Sequence, residues 1–187
     1  MSAGMKHVMV DLETLGTKAG CSILSIGAVY FDVEQGLGSE MYTVVYRPSC
    51  VDAGLHEDQD TLTWWNRQSP EAKKVLIEAN DETIAYTLTN ALEELRKFIK
   101  LSTSVKVWGN GADFDNAILI AAHHAVNTRQ SWGNFNGRCY RTIKNLFPTQ
   151  KLTKDAREGT HHNALDDAKS QATHLIQLAK NNKLVLG

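Results

Sequence analysis

Residues 8–17 read VMVDLETLGT, an apolar run that carries two carboxylates, Asp11 and Glu13, two positions apart. On a β-strand, residues i and i+2 point to the same face, so both acids would project together from a segment with buried flanks. Two like charges on such a face repel and lose hydration unless something positive sits between them. No Lys or Arg lies within the run. A divalent cation is the remaining partner, and the rest of the chain can be searched for what completes its shell.

The search runs over a chain that suits one domain, residues 1–187, long enough for a sizeable core. Residues 1–5 read as a dispensable end. A net charge of −1 argues against a protein that grips long duplex DNA through a basic surface. It leaves room for an enzyme holding a few nucleotides in a cleft where bound metal supplies positive charge. Three cysteines without C-x-x-C spacing favour neither a disulfide framework nor a zinc cluster, which fits a reducing compartment. With no run of about 20 apolar residues and no signal-peptide core, the expectation is a soluble cytoplasmic protein without membrane contact.

Strands are expected at 8–11, 22–32 (SILSIGAVYFD) and 40–46, the last ending at Pro48. Short turns between them favour an antiparallel meander. Residues 49–68 read mostly as loop around an amphipathic LTWWN patch. A short helix is expected over 70–78 with Ser69 as its cap, and a longer one over 81–101. A fourth strand over 105–108, a glycine turn and a helix over 115–125 have the pattern of an α/β unit with a parallel strand. Residues 137–143 hold a fifth strand leading into a short helix, 148–160 a loop, and 164–180 a final helix.

Four places carry acids or histidines that packing alone does not explain: Asp11 with Glu13, Asp113-Phe114-Asp115, His161-His162, and Asp166-Asp167. Taken singly, each has an ordinary reading as a solvated strand edge, a helix N-cap, a surface histidine pair or a first-turn acid facing the helix dipole. Their order along the chain is more specific: D-x-E, then F-D after a glycine turn, then H-x-A-x-x-D. In that order the chain resembles the DEDDh 3′–5′ exonucleases of the DnaQ-like, ribonuclease H-like superfamily. LTWWNRQSPEA and WGNGADFD are similar to a subgroup containing the phage T4 exonuclease A type and small mycobacterial exoribonucleases.

The resemblance implies a ribonuclease H-like α/β fold: a mixed five-stranded sheet, its first three strands antiparallel and the rest parallel, flanked by helices. It selects Asp115, which directly follows Phe114, over Asp113. It also selects His162 with Asp167, because only that register places Ala two positions after the histidine. Asp11, Glu13, Asp115 and Asp167 would hold two Mg²⁺, for which Mn²⁺ can substitute, with Asp11 bridging both, and His162 would be the general base. Hard divalent ions suit such oxygen ligands. The implied reaction is 3′–5′ hydrolysis of single-stranded DNA or RNA ends to nucleoside 5′-monophosphates, with DNA slightly favoured and an exoribonuclease the alternative.

Substrate contacts are expected from Leu12, Thr14 and Leu15, as a backbone amide and an apolar wedge, and from Phe114 by stacking. Of Trp64 and Trp65, one is expected to pack and the other to line the strand path, with Trp65 assigned to substrate. Arg138 and Arg141 are candidate phosphate contacts, and Trp132 a candidate partner surface. Some similar exonucleases are homodimers, so self-association is a further expectation. A catalytically silent nucleic-acid-binding protein is the competing class.

Overall fold

The computed structural model describes residues 4–100, 104–153, 157 and 159–187. Five strands, β1 (His7–Thr14), β2 (Ile23–Asp32), β3 (Gly36–Val44), β4 (Lys106–Gly109) and β5 (Gly137–Cys139), form one sheet in the order β3-β2-β1-β4-β5. β1, β2 and β3 are antiparallel neighbours, while β4 lies parallel to β1 and β5 parallel to β4. This is the expected mixed α/β sheet.

The alternation along β1 divides two hydrophobic layers. Val8, Val10 and Leu12 face a core built with α4 (Leu88–Ile99) and α5 (Asp115–Ala125). Met9 faces the other side, against Trp108, Tyr140 and the inner stripe Ala168, Ala172 and Leu175 of α7 (Ala164–Asn182). Asp11 and Glu13, in phase with Met9, project toward α7. The remaining helices are α1 (Arg47–Asp52), α2 (Gln59–Trp65), α3 (Pro70–Glu78) and α6 (Tyr140–Leu146). α3 has the expected cap, with Ser69 Oγ accepting from Ala72 N.

Several expectations are corrected. Residues 49–68 are not mostly loop, since α1 and α2 lie there; Pro48 occupies the first turn of α1, where its missing N–H costs nothing. The long helix starts at Leu88 rather than at 81. Residue 81 instead caps a turn, its carboxylate accepting from Thr83, and Tyr86 pairs backbone to backbone with β3 and the segment after it. The predicted end of that helix at 101 lies outside the described residues, as do 1–3 and parts of the 148–160 loop. Met5, counted with the dispensable end, is buried in the main core. Trp132 is also buried there, so it offers no partner surface. Among the described residues no helix is long and apolar enough to cross a membrane.

Candidate active site

The site forms where β1 and β4 end and α7 begins, and one glycine makes that approach possible. Gly27 on β2 stands directly opposite Asp11. A Cβ built there would run into the backbone of Ala164 and Leu165, so the first turn of α7 rests on bare sheet beside Asp11. A second glycine, Gly109 at the end of β4, leaves room for Asp115, whose Cβ would lie 2.8 Å from a side chain placed at that position.

Asp115 is fully buried at the start of α5, and its Oδ2 accepts from Asn110 N at 2.6 Å. Its other oxygen, Oδ1, is buried with no hydrogen-bond partner among the described residues. Asp11 Oδ1 accepts from Gln171 Nε2 at 2.7 Å, one turn along α7 from Asp167. Carboxylate oxygens of Asp11, Glu13 and Asp167 come within 4.8 Å of one another. Burial, reinforced by Asp115, Glu13 and Asp167, raises the Asp11 pKa well above the usual carboxylate value. Burial, with Asp167 and Asp115, lifts Glu13 to about 8, and burial lifts Asp115 to about 6. Among the described residues, Arg157 lies 3.5 Å and His161 Nδ1 3.7 Å from Asp167, and the charge of Arg141 acts on Asp115. The four carboxylates repel each other as the β1 pattern implies.

This strain has a measurable consequence in metal-free protein. With Glu13 at about 8 when folded and near 4.5 when unfolded, the folded state retains a proton that the unfolded chain releases. Its contribution to stability is therefore greatest below 4.5 and is lost as pH rises through 8. In EDTA, thermal melts are expected to show Tm falling from pH 6 to pH 8.5, with Glu13→Gln flattening the slope. An unchanged slope in the variant would assign the pH dependence elsewhere.

His162 sits at the head of α7 with φ +66°, a left-handed conformation uncommon for a side-chain-bearing residue. The turn brings its N–H to Asp167 Oδ2 at 3.0 Å and its ring 4.8 Å from that of Trp64, edge to face. Burial and the adjacent His161 lower its pKa, against the pull of Asp167. Asn163 caps α7, its Oδ1 accepting from Leu165 N and Asp166 N. Asp166 turns away from the other acids, and its Oδ2 accepts from Thr160 N. Asp166→Ala is expected to keep most of any activity that Asp167→Ala abolishes, measured side by side. Equal losses would overturn that register.

The other predicted contacts divide. Leu12, Thr14 and Phe114 line a cleft of about 1410 Å³ together with Asp11, Glu13 and Asp167. Leu15 does not; it is fully buried with Leu24 and Val75, so it is no wedge. Both tryptophans line the cleft, but they differ in depth. Trp65 is 1% exposed, with Nε1 donating to Thr14 O at 2.9 Å, whereas Trp64 is 40% exposed beside His162. Trp65 shares its inward face with Leu62 at i−3, a spacing visible in the sequence. Arg138 lies outside the cleft, donating to the carbonyls of Phe135 and Gly137. Sequence reasoning missed Trp64 as the ring against His162, and Lys144 and Arg157 in the cleft wall. Lys144 becomes visible only once α6 is seen beside Asn110.

Comparison with solved structures gives the same architecture. S. pombe Pop2p in its Mg²⁺- and Mn²⁺-bound form is similar over 96% of this chain and 84% of its own, with TM-score 0.66 and 14% identity. Exonuclease X in complex with 5′ overhanging duplex DNA is similar over 96% and 94%, with TM-score 0.55 and 18% identity. E. coli Exonuclease I in complex with a dT13 oligonucleotide matches 95% of this chain but 41% of its own, with TM-score 0.66 and 12% identity. Likenesses at these identities speak to the fold. No curated protein matches the sequence. The model of the 3′–5′ exoribonuclease Rv2179c-like domain, however, matches residues 6–178, from the start of β1 to within α7. The chain, with its ribonuclease H-like sheet and acid cleft, belongs to the 3′–5′ exoribonuclease Rv2179c-like domain family.

Proposed function

We propose that this chain is a divalent-metal-dependent 3′–5′ exonuclease of the DEDDh type, acting on single-stranded ends and releasing nucleoside 5′-monophosphates. The observation that carries the reading is the convergence of Asp11, Glu13 and Asp167 with His162 in one cleft, with Asp115 fully buried and close enough to act on the ionisation of Asp11. The donor set fits hard divalent ions: all four are carboxylates, and a buried Asp115 oxygen has no hydrogen-bond partner among the described residues. Asp11, Glu13, Asp115 and Asp167 would hold two Mg²⁺ or Mn²⁺, which would supply positive charge to the phosphodiester and lower the pKa of water.

The protein's own groups do the rest. Gln171 holds one oxygen of Asp11 and so fixes the plane of that carboxylate. His162, kept neutral near pH 7 by its lowered pKa, accepts the proton of the attacking water. Asp167 holds the His162 backbone, so ligand and base are set by one turn of chain. Trp64 and Phe114 offer rings to the terminal bases.

The family description supports RNA as the preferred strand, in place of the slight preference for DNA expected from the sequence. DNA is the second reading, supported by the DNA-bound Exonuclease X and Exonuclease I, which share the fold. Matched 5′-labelled single-stranded RNA and DNA should both shorten from the 3′ end with Mg²⁺ or Mn²⁺, RNA faster. Cleavage from the 5′ end, or full activity in EDTA, would reject the proposal.

A further inference from the structure

The cleft is electrically lopsided. Beside Trp64 its wall carries Asp58, Asp60 and Glu57, the last paired with Arg47, against one lysine, Lys18; beyond Asn110 it carries Lys144, Lys151 and Arg157. A polyanionic strand leaving the acid site is repelled by the first wall and drawn along the second. Within the second wall, Lys144 is distinctive. It is half-buried on α6, its Nζ donating to Asn110 Oδ1 at 3.2 Å and lying 5.1 Å from the centre of the Tyr140 ring. Asn110 in turn donates its backbone N–H to Asp115, so Lys144 is one residue's breadth from the acids.

The ammonium has no carboxylate partner among the described residues. Its neighbours are themselves cationic, and burial together with Arg141 and Arg157 lowers its pKa. A cation held in place, partly desolvated and without an anion is costly unless an anion arrives. The Tyr140 ring beneath it is fixed by Tyr140 Oη to His174 Nδ1 at 2.6 Å, and His174 Nε2 lies 2.7 Å from Gln150 O. Lys144 therefore stands on a rigid platform.

We propose that Lys144 binds the first backbone phosphate on the 5′ side of the scissile bond, an inference that rests on the exonuclease reading above. The subsite makes the enzyme prefer ends whose penultimate nucleotide carries a 5′-phosphate, and it sets the direction in which the strand leaves the cleft.

A dinucleotide with and without a 5′-phosphate separates this contact from the chemistry. Wild-type protein should favour the phosphorylated form about tenfold or more in kcat/KM, as one charge-assisted contact allows. Lys144→Met, which keeps the stem on the Tyr140 ring, should remove that preference, and Lys144→Arg should restore most of it. In a binding assay with single-stranded RNA in the Asp11→Asn background, Lys144→Met should reduce the slope of log K against log salt by about 0.7. Equal losses on both dinucleotides, a retained preference, or an unchanged salt slope would overturn the subsite. Absence of 3′-end cleavage by wild-type protein would instead overturn the exonuclease reading, and the salt slope would still judge Lys144.

Discussion

Asp11→Asn is expected to reduce hydrolysis by at least about 10³-fold, the scale on which groups acting as one catalytic unit fail together. The residue stands between β2 and α7 at the centre of the acid cluster, and Asp115, Glu13 and Asp167 all act on its ionisation. Asparagine preserves volume and the chance of a hydrogen bond to Gln171 while removing the charge. Because that charge is repelled by three others, the metal-free variant should be at least as stable as wild type. Its Tm should also rise less on adding Mg²⁺ or Mn²⁺, since ion binding to the folded state adds stability according to affinity. A variant that keeps activity would remove Asp11 from the mechanism. One that loses activity but keeps the full metal-induced rise in Tm would show that the ions bind elsewhere.

The second large effect is expected far from any charged group. Gly27→Ala places a methyl group against the backbone of Ala164 and Leu165, which cannot move aside as a flexible side chain can. Overpacking typically costs about 1–3 kcal/mol, and a backbone clash belongs at the upper end. For a chain of this length that is a fall in Tm of about 6–12 °C. Activity should fall further than stability accounts for. The first turn of α7 carries Asp167 and holds His162, so lifting it from β2 separates both from Asp11. Circular dichroism melts and kcat/KM on the same preparation test this; wild-type values in both would mean that α7 finds room without moving.

These two residues mark what the sequence could and could not disclose. Asp11 and Glu13 stood out because they are two acids on one face of a strand whose preceding residues, Val8 to Val10, are all apolar; their order with the later motifs set aside the ordinary reading as a solvated edge. Asp115, His162 and Asp167 were legible only through their order. Gly27 was not, since a glycine in a strand gives no hint of which helix lies on it. The helix α5 was read to its ends and α7 nearly so, because their apolar periodicity is long. α1 and α2, of six and seven residues, are too short for periodicity to separate from loop. Ile84 shows the opposite error: it fits a helical spacing but is exposed in the turn before α4, where pairing of Tyr86 with the sheet overrides the pattern. Trp64 and Trp65 could not be told apart by composition. The side of α2 that faces Leu15 and Leu24 decides between them.

If the four carboxylates and His162 hydrolyse a 3′-terminal phosphodiester as proposed, the phosphate leaves on the released nucleotide. The most direct measurement is the chemical identity of the product from a uniformly labelled single strand digested with Mg²⁺, resolved against nucleoside 5′- and 3′-monophosphate standards. The account predicts nucleoside 5′-monophosphates from wild-type protein and none above background from Asp11→Asn. Nucleoside 3′-monophosphates, or the same products from the variant, would contradict it.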